Sequence, residues 1–322
     1  MRKIAVLTSG GDCPGMNACI RAVVRKAIHQ GLKVAGVRRG FAGLIEGDIL
    51  PLKATSVSGI IHRGGTILKT ARSPLFKTKK GQKRAFESIK RSEVEGIIVI
   101  GGEGSFRGAY ELNKIWDIPT VGIPATIDND IACTDFTIGF DTAVNTALEG
   151  IDRVRDTATS HQRLFLIEMM GRKSGFITLW AGLAGGAEEI IIPEVKTDLD
   201  KICQRLEEGR NRGKTSSIIT IAEGDEAGGA FEIGKKIGKK IGYEIRVVIL
   251  GHLQRGGSPT AMDRVLATRL GSAATDLLIT GEREKMVGLV ANQIKVSPLY
   301  FAWERKKEIN LAPYKLSQIL SS

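Results

Sequence analysis

Two carboxylates stand two residues apart in Pro124-Ala125-Thr126-Ile127-Asp128-Asn129-Asp130-Ile131, directly after a short apolar run and a proline. A loop at a strand end can aim both into one cleft, which suits acid-base and metal chemistry. Such a pair taken alone more often caps a helix or sits in a solvated turn, so its weight depends on the rest of the chain. Two glycine loops supply that weight. Thr8-Ser9-Gly10-Gly11-Asp12 leads from an apolar run straight into a helix-period segment, so backbone N–H groups and the positive end of a helix dipole converge where a phosphate can sit. The loop is neither a Walker A motif nor a dinucleotide fingerprint, because the lysine of the first and the glycine spacing of the second are absent. Gly101-Gly102-Glu103-Gly104-Ser105 repeats the theme with an acid inside it. Glu103 alone reads equally well as a capping or surface acid. Together, Glu103, Asp128 and Asp130 suit Mg²⁺ while leaving one carboxylate to take a proton from an attacking hydroxyl.

The elements that must hold these loops follow from apolar periodicity. Segments 4–7, 33–37, 96–100, 120–123, 164–169, 189–192, 216–221 and 245–250 are short apolar or β-branched runs that read as strands. Met16 to Gln30 reads as a helix with Ile20, Val23, Val24, Ala27 and Ile28 on its buried stripe, stopped by Gly31, and Val144, Leu148, Ile151 and Val154 mark another. Strand alternating with helix predicts a parallel sheet covered on both faces, with ligands at the carboxyl ends of the strands. No internal repeat or Pro/Ser-rich linker divides the chain, and the economical arrangement is a cleft between two α/β lobes.

The 322 residues carry 47 Lys and Arg against 35 Asp and Glu, a formal charge of +12. Lysines four apart in 234–242 share a helical face and fit a solvated exterior. With 5% aromatic content and no RNA-binding aromatic motif, zinc finger or helix-turn-helix, phosphorylated small molecules rank above nucleic acid as partners. Cys13, Cys19, Cys133 and Cys203 lack zinc-site spacing and are too few for a disulfide scaffold, so they read as reduced thiols. The opening apolar stretch is too short for a signal peptide and no run is long enough to cross a bilayer. The expectation is a cytoplasmic protein.

Taken in order, further stretches lose their generic character. Leu7-Thr8-Ser9-Gly10-Gly11-Asp12 with Pro14-Gly15-Met16-Asn17, Arg63-Gly64-Gly65-Thr66, Thr126-Ile127-Asp128-Asn129-Asp130 and Asp152-Arg153-Val154-Arg155-Asp156-Thr157 come first. Ser160-His161-Gln162-Arg163, Glu168-Met169-Met170-Gly171-Arg172 and Gly251-His252-Leu253-Gln254-Arg255-Gly256-Gly257-Ser258-Pro259 follow, with Arg246 ahead of the last and Asp263-Arg264 behind it. In these stretches the chain resembles the bacterial ATP-dependent 6-phosphofructokinases, collinearly from Ile4 to about Gly288.

The resemblance implies an α/β protein of two doubly wound lobes with mainly parallel sheets and an active-site cleft between them: 1–139 with about 255–306 for ATP, and 140–254 with about 307–322 for fructose 6-phosphate. It implies transfer of the ATP γ-phosphoryl to the C1 hydroxyl of fructose 6-phosphate in glycolysis. Asp128 is then the base and Thr126 its neighbour orienting the hydroxyl, with Gly11 a backbone donor to the moving phosphate and Arg72 and Arg172 the cations on it. The implied ATP site is Gly11, Arg72, Ser73, Gly102, Glu103, Gly104, Ser105 and Gly108, with Glu103 and Asp130 on Mg²⁺. Arg163, Arg246, His252 and Arg255 resemble the sugar-phosphate clamp, and Met170, Gly171, Arg172 and Glu223 the sugar contacts. In this family Arg163 and Arg246 reach in from a neighbouring subunit, so a homotetramer is implied. Arg21, Arg25, Arg155, Glu188, Arg212, Gly213 and Lys214 match effector positions for ADP or phosphoenolpyruvate.

The chain departs from the family pattern in places. Glu103 stands where Asp is usual, and Ala125 where Gly is usual. Pyrophosphate-using relatives carry Lys at the position of Ala125 and Asp at that of Gly104, so the small residues here leave room for the rest of ATP. Phe41, Ser73 and Lys77 alter the base and ribose pocket, while Ala54 and Gly59 replace an Arg and an Asp of the effector site. Two alternatives stay open: a pyrophosphate-dependent enzyme, and a catalytically weak regulatory subunit of the same fold.

Overall fold

Continuous aliphatic runs such as Gly96-Ile97-Ile98-Val99-Ile100 belong in the middle of a sheet covered on both faces. The computed structural model describes residues 1–321. Its strands are β1 (Lys3–Ser9), β2 (Lys33–Val37), β3 (Ile49–Leu52), β4 (Gly96–Gly101), β5 (Thr120–Pro124), β6 (Leu164–Met169), β7 (Glu189–Ile191), β8 (Ser217–Ala222), β9 (Ile245–Ile249), β10 (Lys285–Val290) and β11 (Gln293–Pro298). Its helices are α1 (Met16–His29), α2 (Gly40–Glu46), α3 (Lys79–Arg91), α4 (Glu103–Trp116), α5 (Phe140–His161), α6 (Phe176–Ala184), α7 (Leu199–Asn211), α8 (Ala230–Ile241), α9 (Ala261–Ile279), α10 (Phe301–Glu304) and α11 (Ala312–Leu320). The chain divides into one unit of Met1–Thr142 with Arg255–Lys307, and another of Ala143–Gln254 with the stretch from Glu308 onward. Among the described residues no helix is long and apolar enough to cross a membrane.

The first unit holds a sheet in the order β11-β10-β5-β4-β1-β2-β3. β10, β5, β4, β1 and β2 are parallel, and the edge strands β3 and β11 pair antiparallel. β4 is buried throughout. Leu7, Ile97 and Val99 pack with Phe41 and Leu44 of α2, Ile89 of α3, and Phe106 and Leu112 of α4. Elsewhere in the unit α1 lies so close to α9 that a Cβ on Gly271 would stand 2.8 Å from the Ala22 Cβ. Asp263, at the start of α9, accepts hydrogen bonds from the Gly139 and Thr142 amides (2.8 Å each) and from the Thr142 hydroxyl.

The second unit holds an all-parallel sheet, β7-β8-β6-β9. Leu166, Ile191, Ile219 and Ile221 meet Ile202 of α7 and Ile233 and Ile237 of α8 in its core. Lys235, Lys236, Lys239 and Lys240 are exposed along α8, two of them paired with Glu232 and Asp200, which is the solvated face that their spacing suggests.

Three strands escape the sequence reading, and each has a reason. Pro51 argues against β3, yet an edge strand tolerates it. β10 and β11 form a hairpin with Val290 opposite Gln293, and its two-residue turn holds Ala291 and Asn292 at φ 47° and 61°. Asn suits that conformation but Ala gives no hint of it.

Candidate active site

Ser9, Gly101 and Pro124 are register partners across β1, β4 and β5, so the two glycine loops and the Asp128 loop leave the sheet side by side at its carboxyl edge. The crowding there explains the small residues. A Cβ on Gly101 would stand 2.5 Å from both Ser105 Oγ and Ser9 O, and Gly10 has φ 86°. Gly11 is exposed, and the Arg255 guanidinium lies across it, with Nη1 2.1 Å from where a Cβ would be.

A clasp missed at the sequence level fixes the first loop. Thr8 Oγ1 lies 3.0 Å from Thr66 Oγ1 and donates to Lys69 O at 2.9 Å, and Thr70 donates to Gly10 O at 2.7 Å. Asn17 donates to Arg63 O and Gly64 O (3.1 Å each) and accepts from the Ile67 amide at 2.8 Å. The clasp leads into Arg72, which is exposed, and Ser73, whose Oγ accepts from the Phe76 amide at 3.4 Å.

Glu103 opens α4, where the helix dipole favours an acid, and pairs with Arg107 at 2.8 Å. No atom lies within 4 Å of a Cβ built on Gly104, whereas Ser105 is buried. Gly108 lies 2.7 Å, Cβ to ring, from Phe41. Phe41 is itself stacked on Phe76 and buried, so it serves the core beside the expected nucleotide residues.

The third loop is cross-braced. The Ala125 amide donates to Gly101 O at 3.0 Å, and the Asp128 amide donates to Thr126 Oγ1 at 3.3 Å. Asn129 sits at φ 52°; its Oδ1 accepts from the Thr137 amide at 3.0 Å, and Thr137 Oγ1 donates to Thr126 O at 2.6 Å. Asp128 is 3% exposed, while Asp130 reaches solvent. Lys307, unanticipated from sequence, donates to Asn129 Oδ1 and Asp135 O at 2.8 Å each. Burial pulls its ammonium down to about 8, against the opposing pull of Asp135 and Asp130.

Among the described residues no three His, Cys, Asp or Glu side chains form a ready cation cage. Mg²⁺ does not need one, since it usually keeps several waters and takes one or two carboxylates with substrate phosphates. Glu103, Asp128 and Asp130 are hard oxygen donors of the kind Mg²⁺ takes, on adjoining loops where a Cβ on Gly102 would stand 3.8 Å from Thr126 Cβ.

In the second unit Met169 and Ala222 end β6 and β8 in register, which brings Met170, Gly171 and Arg172 beside Glu223. The Glu223 carboxylate accepts from the Arg172 amide at 2.9 Å and the Gly171 amide at 3.4 Å. Buried Gln254 accepts from the Met170 amide at 2.8 Å, tying in the turn after β9 that carries exposed His252. Arg163 and Arg246 are not part of this group. Arg163 precedes β6, and Arg246 is the register partner of Phe165 near the strand's start. At about 3.3 Å per residue, roughly 16 Å of strand separates that level from Met170.

Arg155 donates to Gly185 O (2.6 Å) and Gly186 O (2.8 Å), and Glu188 lies 3.9 Å from Arg155 and 3.4 Å from Lys214. Arg212 and Gly213, the latter at φ 94°, adjoin Lys214 in the chain. Arg21 is half-buried and Arg25 exposed on α1 of the first unit. Ala54 is exposed, and Gly59 has φ 65° with no atom within 4 Å of a built Cβ.

Comparison with known proteins finds relatives that span the chain. The family described as Phosphofructokinase matches residues 3–278. An ATP-dependent 6-phosphofructokinase of Halothermothrix orenii is 56% identical over the whole of both chains. The structure of phosphofructokinase from Saccharomyces cerevisiae aligns at TM-score 0.89 and 32% identity over 94% of this chain, which spans 45% of that longer one. A pyrophosphate-dependent phosphofructokinase from Marinobacter aquaeolei aligns at TM-score 0.85 over 97% of this chain and 86% of its own, with 23% identity, a likeness of fold alone.

Proposed function

The chain belongs to the phosphofructokinase family, and from that premise we propose that it transfers the γ-phosphoryl of ATP to the C1 hydroxyl of fructose 6-phosphate, yielding fructose 1,6-bisphosphate and ADP. The observation that carries this reading is the full-length 56% identity to an ATP-dependent relative. The loop geometry supports it. Gly104 has open space around it, so its small size is not forced by packing, and neither it nor Ala125 brings the charge that pyrophosphate-using relatives carry there.

In this reading Asp128 takes the C1 hydroxyl proton as the oxygen bonds to the γ-phosphorus and the bond to the ADP oxygen breaks. Thr126, whose Oγ1 accepts from the Asp128 amide, orients that hydroxyl. The Gly11 amide, Arg72 and Arg172 meet charge that builds on the moving group. Glu103 and Asp130 would hold Mg²⁺, with the Glu103–Arg107 pair loosened or bridged by water; when bound, the ion neutralises phosphate oxygens. Met170, Gly171 and Glu223 contact the sugar, and His252 and Arg255 its phosphate. Arg163 and Arg246, at the opposite strand ends from Met170, complete a neighbouring copy's site in a homotetramer. Arg155, Glu188, Arg212 and Lys214, with Arg21 and Arg25, bind ADP or phosphoenolpyruvate as effectors.

The test is a coupled assay on purified protein with fructose 6-phosphate, Mg²⁺ and either ATP or pyrophosphate at matched free Mg²⁺. Faster turnover with ATP is expected. Faster turnover with pyrophosphate would overturn the donor assignment, and negligible rate with both would favour a regulatory subunit.

A further inference from the structure

Lys307 lies about 180 residues beyond the Asp128 loop, in the last residue of the first unit before the chain leaves for α11. Its neighbourhood is a built one. Ile131 and Lys306 form an isolated antiparallel bridge, which lays the chain along the loop, and the next residue turns its ammonium inward. There Nζ donates to Asn129 Oδ1 and to Asp135 O at 2.8 Å each. Charge-assisted bonds of this kind are about twice as strong as neutral ones. They grip the residue between the two carboxylates and the backbone six residues further on.

Asn129 is the pivot of that loop. It stands in the left-handed region at φ 52°, which sets how Asp128 and Asp130 diverge from it. Its Oδ1 also accepts from the Thr137 amide at 3.0 Å, so one oxygen joins the loop, the returning chain at Thr137 and the C-terminal segment. Lys307 is half-buried there, and desolvation disfavours the charged form of an amine. A methionine of similar length would fill the space without that penalty. Both acceptors belong to the loop that carries Asp128 and Asp130, so that loop is what the ammonium holds.

We propose that Lys307 is a positioning residue for phosphoryl transfer: by clamping Asn129 and the Asp135 carbonyl it holds the Asp128–Asp130 loop in the geometry that the reaction requires. The inference rests on the reading of Asp128 as the base. Lys307 bonds to the loop, so its loss is expected to act on how well Asp128 and Asp130 are aimed, leaving the sugar-phosphate and nucleotide contacts in place.

The test compares Lys307→Met and Lys307→Arg with the parent, using Lys306→Met as the control for a neighbouring exposed lysine. Lys307→Met is expected to lower kcat about 10- to 100-fold, the scale of a misplaced reacting group, with little change in KM for either substrate. Lys307→Arg, which keeps a cation able to reach both acceptors, is expected to recover part of that loss, and Lys306→Met to match the parent. Amide hydrogen exchange on the purified full-length protein reads the loop directly: in Lys307→Met, residues 126–137 exchange faster while the α1 and β4 amides do not. Parental kcat in Lys307→Met, or unchanged exchange across 126–137, would overturn the proposal, as would an increase spread over the whole unit. Because exchange is measured without turnover, a failure of Asp128 as base would leave that readout standing.

Discussion

Replacing Asp128 by Asn removes the capacity to accept a proton while keeping the shape of the side chain. The loop around it is held through its neighbours, by Thr137 on Thr126 O at 2.6 Å and on Asn129 Oδ1 at 3.0 Å, so the substitution leaves the brace intact. The residue is 3% exposed, and water has little room to stand in as a substitute base. Loss of a general base costs about 10²- to 10⁴-fold in rate, which is about 2.7 to 5.5 kcal/mol at 1.36 kcal/mol per factor of ten. That loss falls in the transition state, so kcat drops while KM for fructose 6-phosphate stays near the parent's. Steady-state kinetics with both substrates varied, on protein whose thermal midpoint matches the parent's, gives the answer. A variant within about tenfold of the parent would refute the base role, and a rise in KM at constant kcat would make Asp128 a binding residue.

Arg246→Ala is expected to raise KM for fructose 6-phosphate far more than KM for ATP, and a mixture of Asp128→Asn and Arg246→Ala subunits to regain activity in hybrid sites after exchange; an active monomer in solution would contradict the shared site. Ala54→Arg is expected to tighten ADP or phosphoenolpyruvate binding about tenfold or more, since a hydrogen bond to a charged group contributes about 1.5 to 3 kcal/mol; unchanged effector titrations would move the effector site elsewhere. Burial raises the Asp263 carboxyl to about 6, above its unfolded value of about 3.9, so the folded state holds this proton more tightly. The stability it contributes is full below about pH 4 and fades as pH rises through about 6, by about 3 kcal/mol at most. Denaturant unfolding of parent and Asp263→Asn across that window checks the sign: the parent's advantage must shrink with rising pH, and a growing advantage would show that the ionised, hydrogen-bonded form is the favoured one.

Strand and helix alternation was legible because apolar runs such as Gly96 to Ile100 and the stripe through Ile20, Val23 and Val24 carry their periods openly. The end of α1 at His29, followed by Gly31 at φ 78°, is equally visible in sequence. The loops at the carboxyl edge were legible as loops because glycine pairs and the D-x-D pair follow apolar runs, and the strand register sets them side by side. What stayed hidden depends on contacts between distant segments. Nothing near Lys307 in the sequence marks it as the partner of Asn129. Thr66, Thr70 and Asn17 look like ordinary polar residues until the clasp brings them to the first loop, and Phe41 reads as a pocket residue until Gly108 and Phe76 enclose it. The separation of Arg163 and Arg246 from Met170 needed the pairing of β6 with β9 before it had meaning.

The most direct measurement follows the phosphoryl group itself. ATP labelled in its γ-phosphate is incubated with fructose 6-phosphate, Mg²⁺ and the purified protein, and the label is located in the products. The expected result is label on C1 of fructose 1,6-bisphosphate, with one ADP formed for each label transferred and no transfer when Asp128 is replaced by Asn. Label released as inorganic phosphate, or a sugar bisphosphate formed from pyrophosphate while γ-labelled ATP stays intact, would contradict it.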